Sequence, residues 1–230
     1  MKIFSYSKQT ISKEDIKSVT KILKSNFLTQ GPTIEKFENK IKKFVKSKYA
    51  VAVNSATCGL HLSCLSLGLK KNDWLWTSAN SFVASANCGL YCGAKIDFID
   101  IELETYNLDL KKLEIKLHQA KKKKLLPKIV VPIVFAGQPY DRDSLIILAK
   151  KYKFKILEDA SHGLGSKYKN KNVGSNKDII SVFSFHPVKM ITTGEGGSAH
   201  TGNEKYYNIM KSVSSHGIIR KKNNCTNVTN

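Results

Sequence analysis

The sequence predicts an α/β protein with a mainly parallel central sheet and helices on both faces. From Tyr49 onward, short apolar segments alternate with longer amphipathic segments, and this alternation is typical of strand–helix–strand units. Polar residues directly follow several of the apolar segments, as Thr57, Asp159 and Ser184 do. Because ligands of such sheets bind at the carboxyl ends of the strands, we expect these residues to lie at one binding cleft.

The predicted strands are the short apolar segments, in chain order. They cover residues 49–53, 74–77, 95–99, 129–134, 155–158, 179–183 and 197–200. The amphipathic segments predict helices over residues 57–67, 82–91, 108–121, 142–151 and 204–212, and two more within 13–46 on either side of a turn at 28–32. Residues 221–230 are polar and unpatterned, and we expect the natural chain to continue beyond Asn230.

Composition narrows the class of protein. The chain has 230 residues, 41% of them hydrophobic, which is enough for one sizeable folded domain. The N-terminus lacks the apolar core of a signal peptide and no window resembles a membrane span, so a cytoplasmic protein is expected. The formal charge of +20 comes from lysine, with arginine only at Arg142 and Arg220. Sequence-reading nucleic-acid sites depend on arginine, so a lysine-rich solvated surface is favoured over nucleic-acid binding.

The five cysteines show no metal or disulfide pattern. They form no CxxC pair and no dense framework of the kind found in small secreted proteins. Most of them lie in apolar helical segments, where a free cysteine behaves as a small hydrophobic residue. We therefore expect neither a metal site nor structural disulfides.

Lys189 is the most informative residue of the chain. It follows a predicted strand that ends at Ser184, and it precedes a Gly-rich stretch from Gly194 to Gly197. Another predicted strand ends in Asp159. A lysine that forms a Schiff base and a carboxylate that keeps a pyridine nitrogen protonated are the two groups that a pyridoxal 5'-phosphate (PLP) site needs. Asp159 has an alternative role, as the cap of a helix that begins at Ser161.

Three residues fit the phosphate of the same cofactor. Ala56 and Thr57 stand where a strand passes into a helix, and helix N-termini attract phosphate. Ser184 offers a second hydroxyl. The alternatives are that Thr57 only caps the helix and that Ser184 only forms a turn at the end of its strand.

Three further residues are candidates for contact with the pyridine ring. Phe82 is placed to stack on the ring, or else belongs to the core. His162 is expected near Asp159, beside the ring, or is an ordinary loop histidine. Gln138 fits a hydrogen bond to the phenolic oxygen, and a surface turn explains it nearly as well.

Six segments in order give the sequence a family resemblance. They are residues 28–32 (LTQGP), 53–57 (VNSAT), 82–87 (FVASAN), 135–138 (FAGQ), 158–162 (EDASH) and 182–189 (VFSFHPVK). Together they resemble the DegT/DnrJ/EryC1/StrS family of nucleotide-sugar aminotransferases. The resemblance implies a fold-type I PLP enzyme in which Lys189 binds the cofactor covalently and Asp159 faces the pyridine nitrogen. It also implies phosphate contacts from Ala56, Thr57 and Ser184, and ring contacts from Phe82, Gln138 and His162.

The resemblance also carries expectations about domains, reaction and partners. Residues 1–230, including the N-terminal helices within 1–46, would form the PLP-binding large domain, and the small C-terminal domain usual in the family would be missing. The expected reaction is transfer of an amino group, with glutamate as donor, to a UDP-linked 4-keto-6-deoxy sugar, by a homodimer. The alternatives are another nucleotide-sugar aminotransferase of the family and a large domain that is inactive by itself.

Overall fold

A computed structural model describes residues 7–221 and 224–227 of the chain, with the backbone alone from residue 219 onward. The helices are α1 (Lys13–Leu23), α2 (Pro32–Val45), α3 (Ala56–Ser66), α4 (Ala84–Leu90), α5 (Leu110–Lys123), α6 (Arg142–Tyr152) and α7 (Glu204–Val213). The strands are β1 (Tyr49–Val53), β2 (Trp74–Ser78), β3 (Lys95–Ile99), β4 (Ile129–Val131), β5 (Lys155–Asp159), β6 (Lys167–Tyr168), β7 (Lys171–Asn172), β8 (Ile180–Ser184), β9 (Gly197–Thr201), β10 (Ile218–Lys221) and β11 (Asn224–Asn227).

Seven of these strands form the central sheet, in the order β1-β9-β8-β5-β4-β2-β3. Strands β3, β2, β4, β5 and β8 pair in parallel, whereas β9 runs antiparallel to both β8 and β1. Strand β1 therefore points in the same direction as the parallel set. The carboxyl ends of β1, β2, β4, β5 and β8 meet at one edge, which is where the sequence predicts a cleft.

Helices cover both faces of this sheet, as predicted. On one face α2, α5 and α6 pack on side chains such as Trp76, Val130 and Ile156. On the other face α3, α4 and α7 pack on a second set that includes Ile129 and Leu157. Successive residues of β4 and β5 alternate between the two cores because side chains of a strand point to opposite faces.

The predicted strands and helices of the sheet are confirmed, with small shifts at their ends. The largest shift is in β4, which ends at Val131 rather than at residue 134; Ile133 then makes an isolated bridge to Asp159. The short β6–β7 and β10–β11 hairpins were not predicted; all of β11 and the last residue of β10 fall in the unpatterned segment 221–230. Apart from Ile218 and Ile219 their residues are mostly polar, and they do not alternate between apolar and polar, so the sequence gives no strand signal there.

Two glycines let α3 approach the sheet closely. A Cβ atom on Gly59 would lie 2.8 Å from Val182 Cγ1, so only glycine allows α3 to rest on β8 at this depth. A Cβ atom on Gly197 would lie 2.7 Å from the backbone N of Ala56. The start of α3 is thereby held against the sheet edge where the parallel strands end.

Within the described residues, no helix is long and apolar enough to cross a membrane. In the same part of the chain, no group of three or more His, Cys, Asp and Glu side chains is arranged to hold a metal ion.

Candidate active site

A cleft of about 760 Å³ opens at the carboxyl ends of the parallel strands. It lies between the start of α3, the loop that precedes α4 and the loop that joins β8 to β9. Seven of the eight residues singled out in the sequence line it, namely Ala56, Thr57, Phe82, Asp159, His162, Ser184 and Lys189. Residues from distant parts of the chain therefore converge on one concave site.

Lys189 reaches the cleft from a turn in the β8–β9 loop. Its backbone N–H donates to the carbonyl oxygen of His186 at 2.9 Å. Its side chain is partly buried, and Nζ lies 2.8 Å from Nε2 of His162. Burial lowers the pKa of the Lys189 ammonium group from its usual value, and the charge of Asp159 opposes this shift. Lys189 is therefore easier to deprotonate than an exposed lysine.

The position of His162 favours the neutral form of its imidazole. Burial lowers the pKa of its imidazole, the positive charge of Lys189 lowers it further, and Asp159 acts in the opposite direction. A neutral imidazole has one nitrogen that accepts a hydrogen bond. Nε2 of His162 is thus suited to accept from Lys189 while that lysine is still charged.

Asp159 is buried at the end of β5 and its two carboxylate oxygens are held from different sides. Oδ1 accepts from the backbone N–H of Ser161 at 3.1 Å and from its hydroxyl at 2.6 Å. Oδ2 accepts from the hydroxyl of Ser85 on α4 at 2.6 Å. The chain forms a turn and not a helix at Ser161, so the alternative role of Asp159 as a helix cap is wrong.

The start of α3 brings backbone N–H groups to the cleft. Ser55 is the N-cap, and its hydroxyl accepts from the N–H of Cys58 at 3.2 Å. Ala56 and Thr57 are therefore the first two helical residues, whose N–H groups have no carbonyl partner within the helix. The alternative of Thr57 as the cap is wrong, and Thr57 lines the cleft. Ser184, at the end of β8, lines the same cleft.

Phe82 and Gln138 differ in position. Phe82 lines the cleft with 74% of its surface exposed, so it is not a core residue. Gln138 follows the 3-10 turn Phe135–Gly137, its side chain is exposed, and it is not among the residues that line the cleft. The backbone carbonyl oxygen of Gln138 accepts from Asn107 Nδ2 at 3.0 Å, as expected of a surface turn. Contact between Gln138 and a cofactor stays a prediction.

Several cleft residues were missed from the sequence. Asn54 and Ser55 line it beside Thr57, and Ser81 lines it beside Phe82. Ser85 lies behind the cleft surface, where it contacts Asp159. The sequence carries no signal for this contact, because Ser85 and Asp159 are separated by 74 positions in the chain.

The chemistry of these groups fits PLP. The cofactor has an aldehyde, a basic ring nitrogen and a phosphate. The cleft offers an amine with a lowered pKa, a buried carboxylate whose oxygens are already fixed by serines, and the N–H groups of a helix start. Each is the type of group that the corresponding part of PLP binds.

The order of the mainly parallel strands and the position of the cleft at their carboxyl ends fit the fold-type I class. The chain belongs to the DegT/DnrJ/EryC1/StrS aminotransferase family, whose model matches residues 9–229. It is 43% identical over 220 residues to the UDP-4-amino-4,6-dideoxy-N-acetyl-beta-L-altrosamine transaminase of Campylobacter jejuni. The aligned residues make up 96% of this chain and 57% of that relative. The chain thus spans little more than half the length of the relative.

Solved structures agree with this assignment. Helicobacter pylori PseC, an aminotransferase involved in the biosynthesis of pseudoaminic acid, superposes with a TM-score of 0.85 at 36% identity, over 96% of this chain and 58% of that one. The PLP-form of the putative sugar aminotransferase Spr1654 from Streptococcus pneumoniae gives a TM-score of 0.86 at 27% identity, over 98% and 61% of the two chains. The prediction of a fold-type I architecture is confirmed.

Proposed function

We propose that this chain forms the PLP site of a nucleotide-sugar aminotransferase. The observation that carries the proposal is the meeting of Lys189, Asp159 and the start of α3 in a single cleft. Lys189 would hold the cofactor covalently, and Asp159 would face the ring nitrogen. Ala56, Thr57 and Ser184 would hold the phosphate, while Phe82 and His162 would contact the ring.

When bound, PLP supplies an electron sink that stabilises negative charge at the carbon next to a substrate nitrogen. The negative charge of Asp159 favours a protonated partner in front of it. Because burial lowers the pKa of Lys189, its Nζ releases a proton more readily than an exposed lysine does, and the neutral amine would then take a proton from a substrate carbon. His162 Nε2 lies 2.8 Å from Nζ and would hold the Lys189 side chain in place in both its charged and its neutral form.

The proposed substrate is a UDP-linked 4-keto-6-deoxy-N-acetyl hexose, which would gain an amino group at C4 in pseudaminic acid biosynthesis. Similarity to the Campylobacter UDP-4-amino-4,6-dideoxy-N-acetyl-beta-L-altrosamine transaminase and to Helicobacter PseC supports this substrate class. Glutamate as the amino donor and a homodimer as the assembly complete the proposal. They follow the pattern of the family.

Reduction with borohydride tests the cofactor site. The chain is incubated with PLP, reduced, digested and mapped by mass spectrometry. We expect one modified lysine, Lys189, and no modification in a Lys189→Ala variant. Lys150, which is at the exposed end of α6, gives the matched control as Lys150→Ala. Modification spread over surface lysines, unchanged by Lys189→Ala, would overturn the proposal.

A panel of substrates tests the reaction. A protein that contains this chain is supplied with glutamate and with UDP-linked or dTDP-linked 4-keto and 3-keto sugars. We expect amino-sugar product from the UDP-linked 4-keto sugar. Product from a 3-keto sugar alone would assign the chain to another nucleotide-sugar aminotransferase of the family.

A further inference from the structure

A pair of serines on the α4 side of the cleft forms a hydroxyl chain that ends at Asp159. The hydroxyl of Ser85 donates to Asp159 Oδ2 at 2.6 Å, and the hydroxyl of Ser81 donates to Ser85 Oγ at 2.7 Å. Ser85 is fully buried, whereas Ser81 is partly exposed and lines the cleft. The series of hydroxyls therefore runs from Ser81 at the cleft wall, through the buried Ser85, to the carboxylate of Asp159, which also lines the cleft.

The direction of the hydrogen bonds follows from the chemistry of the groups. An ionised carboxylate has no proton and only accepts. The single hydroxyl proton of Ser85 must then point to Asp159, so Ser85 Oγ is left to accept from Ser81. Hydrogen bonds in such a series polarise one another, and Ser81 strengthens the bond that Ser85 makes.

The contact of Ser85 is not explained by local helix structure. A buried serine in a helix commonly bonds the carbonyl oxygen four residues earlier. Ser63, equally buried on α3, does so, because its hydroxyl donates to the carbonyl of Gly59 at 2.7 Å. Ser85 instead reaches across to another element. Its backbone N–H is already bonded to the carbonyl of Phe82 at 3.1 Å.

The two oxygens of Asp159 are fixed from independent parts of the chain. Ser161, in the turn after β5, fixes Oδ1, and Ser85, on α4, fixes Oδ2. A carboxylate held at both oxygens cannot rotate about its side-chain bonds without losing a charge-assisted hydrogen bond. Its remaining lone pairs are then presented in one direction.

We propose that Ser85, supported by Ser81, is a positioning residue that holds the Asp159 carboxylate in the orientation that receives the ring nitrogen of PLP. This inference rests on the proposed function of the cleft. Ser85 itself is separated from the cleft by Asp159 and Ser81, and it acts through the carboxylate.

The affinity for PLP, measured by absorbance titration of the purified chain, tests the inference without a measurement of turnover. We expect Ser85→Ala to weaken PLP binding roughly tenfold, since a hydrogen bond to a charged group is lost. Ser85→Thr, which keeps the hydroxyl, should restore affinity to within about threefold of the wild type. Ser81→Ala, which removes only the outer hydroxyl, should weaken binding about twofold.

Ser63→Ala is the matched control. It removes an equally buried helical hydroxyl from a site that does not contact Asp159, and we expect unchanged PLP affinity. Circular dichroism and the melting temperature establish that each variant is folded. If Ser85→Ala fails to fold, Ser81→Ala tests the inference in its place. Wild-type PLP affinity in Ser81→Ala would then overturn the proposed positioning role of the two hydroxyls.

Other outcomes separate the failure of this inference from the failure of the proposed function. If the wild type binds PLP at Lys189 and Ser85→Ala binds it equally well, the positioning role is wrong and the cofactor site stands. A folded Ser85→Thr that is no better than Ser85→Ala also overturns the role. If the wild type and Lys189→Ala show the same weak binding, the proposed function fails and the inference fails with it.

Discussion

Glu158 and Asp159 are consecutive buried carboxylates at the end of β5, and their side chains lie on opposite faces of the sheet. Glu158 Oε1 accepts from the hydroxyl of Tyr140 at 2.9 Å, and Oε2 accepts from the hydroxyl of Ser181 at 2.6 Å. Asp159 accepts from Ser85 and Ser161 at similar distances. Both carboxylates are therefore buried and both are hydrogen-bonded at each oxygen.

The two regions differ in what lies in front of the carboxylate. Asp159 lines a cleft that also holds the amine of Lys189, whereas Glu158 does not line that cleft. Glu158 is enclosed with Tyr140, whose hydroxyl pKa is raised by burial and by the charge of Glu158. Burial and hydrogen bonding alone thus do not mark a functional carboxylate. Access to a cavity and the presence of a complementary group distinguish the two.

The sharpest test exchanges the charge of each carboxylate for an amide. Asp159→Asn should lower transamination roughly 10²–10³-fold, because a preorganised charge at the reacting group is removed. Glu158→Gln should retain activity within a few-fold. Steady-state rates of a protein that contains this chain check both variants. Equal losses in the two would remove the functional distinction between the faces.

Truncation of Glu158 should reveal its role in stability. Glu158→Ala leaves the hydroxyls of Tyr140 and Ser181 buried without their acceptor, and we expect the free energy of unfolding to fall by about 3 kcal/mol. Urea denaturation of the isolated chain measures this loss. The matched variant Glu114→Ala, at an exposed position of α5, should show no comparable loss. Unchanged stability in Glu158→Ala would contradict the structural role of the network.

Buried histidine extends the comparison to pH. His200, on β9, is fully buried between the hydroxyls of Ser47 and Ser198, each 2.8 Å from a ring nitrogen. Burial lowers its pKa to about 3. The unfolded chain takes up a proton near pH 6.5 and the folded chain does not, so stability falls as the pH drops from about 6.5 towards 3.

At pH 5 the loss of unfolding free energy that is due to His200 amounts to about 2 kcal/mol. In denaturant titrations, we expect the free energy of unfolding of His200→Gln to fall less steeply than that of the wild type between pH 7 and pH 5. His118→Gln, at an exposed position of α5, should follow the wild-type profile. Parallel profiles for the wild type and His200→Gln would show that His200 is not responsible for the acid loss.

The smallest expected effect concerns the aromatic side chain at the mouth of the cleft. Phe82→Ala should weaken PLP binding about three- to tenfold through the loss of ring stacking. Its stability should be unchanged, since the side chain is largely exposed. Phe98→Ala, on β3 and outside the cleft, is the control and should bind PLP as the wild type does. Equal affinity in Phe82→Ala and the wild type would exclude stacking.

Most of the fold was predictable because apolar periodicity and turn residues act locally. The strand over Lys95–Ile99 and the start of α6 at Arg142 were predicted at their observed positions. The direction of β9 was not predicted, since an antiparallel pairing with β1 and β8 depends on the path of the loop from Ser184 to Gly197. The short hairpins were not predicted because their few residues form no periodic apolar pattern in the sequence.

Candidate site residues could be predicted where the type of a single residue and its position after a strand were enough to suggest its chemistry. Lys189, Asp159 and Thr57 could be proposed because each follows the end of a predicted strand. Gln138 was proposed on a similar argument, yet its side chain is exposed and outside the cleft. A strand end places a residue at the right edge of the sheet without fixing where its side chain points.

The sequence by itself determined the class of the sheet and the residues that reach its functional edge, because alternation of apolar segments and strand-end polar residues are local properties of the chain. Tertiary structure alone decided which contacts those residues make. Ser85 holds Asp159, and His162 holds Lys189, across long separations in sequence. Hydrogen bonds form over about 3 Å and depend on packing, and no local pattern of residues encodes such a distance.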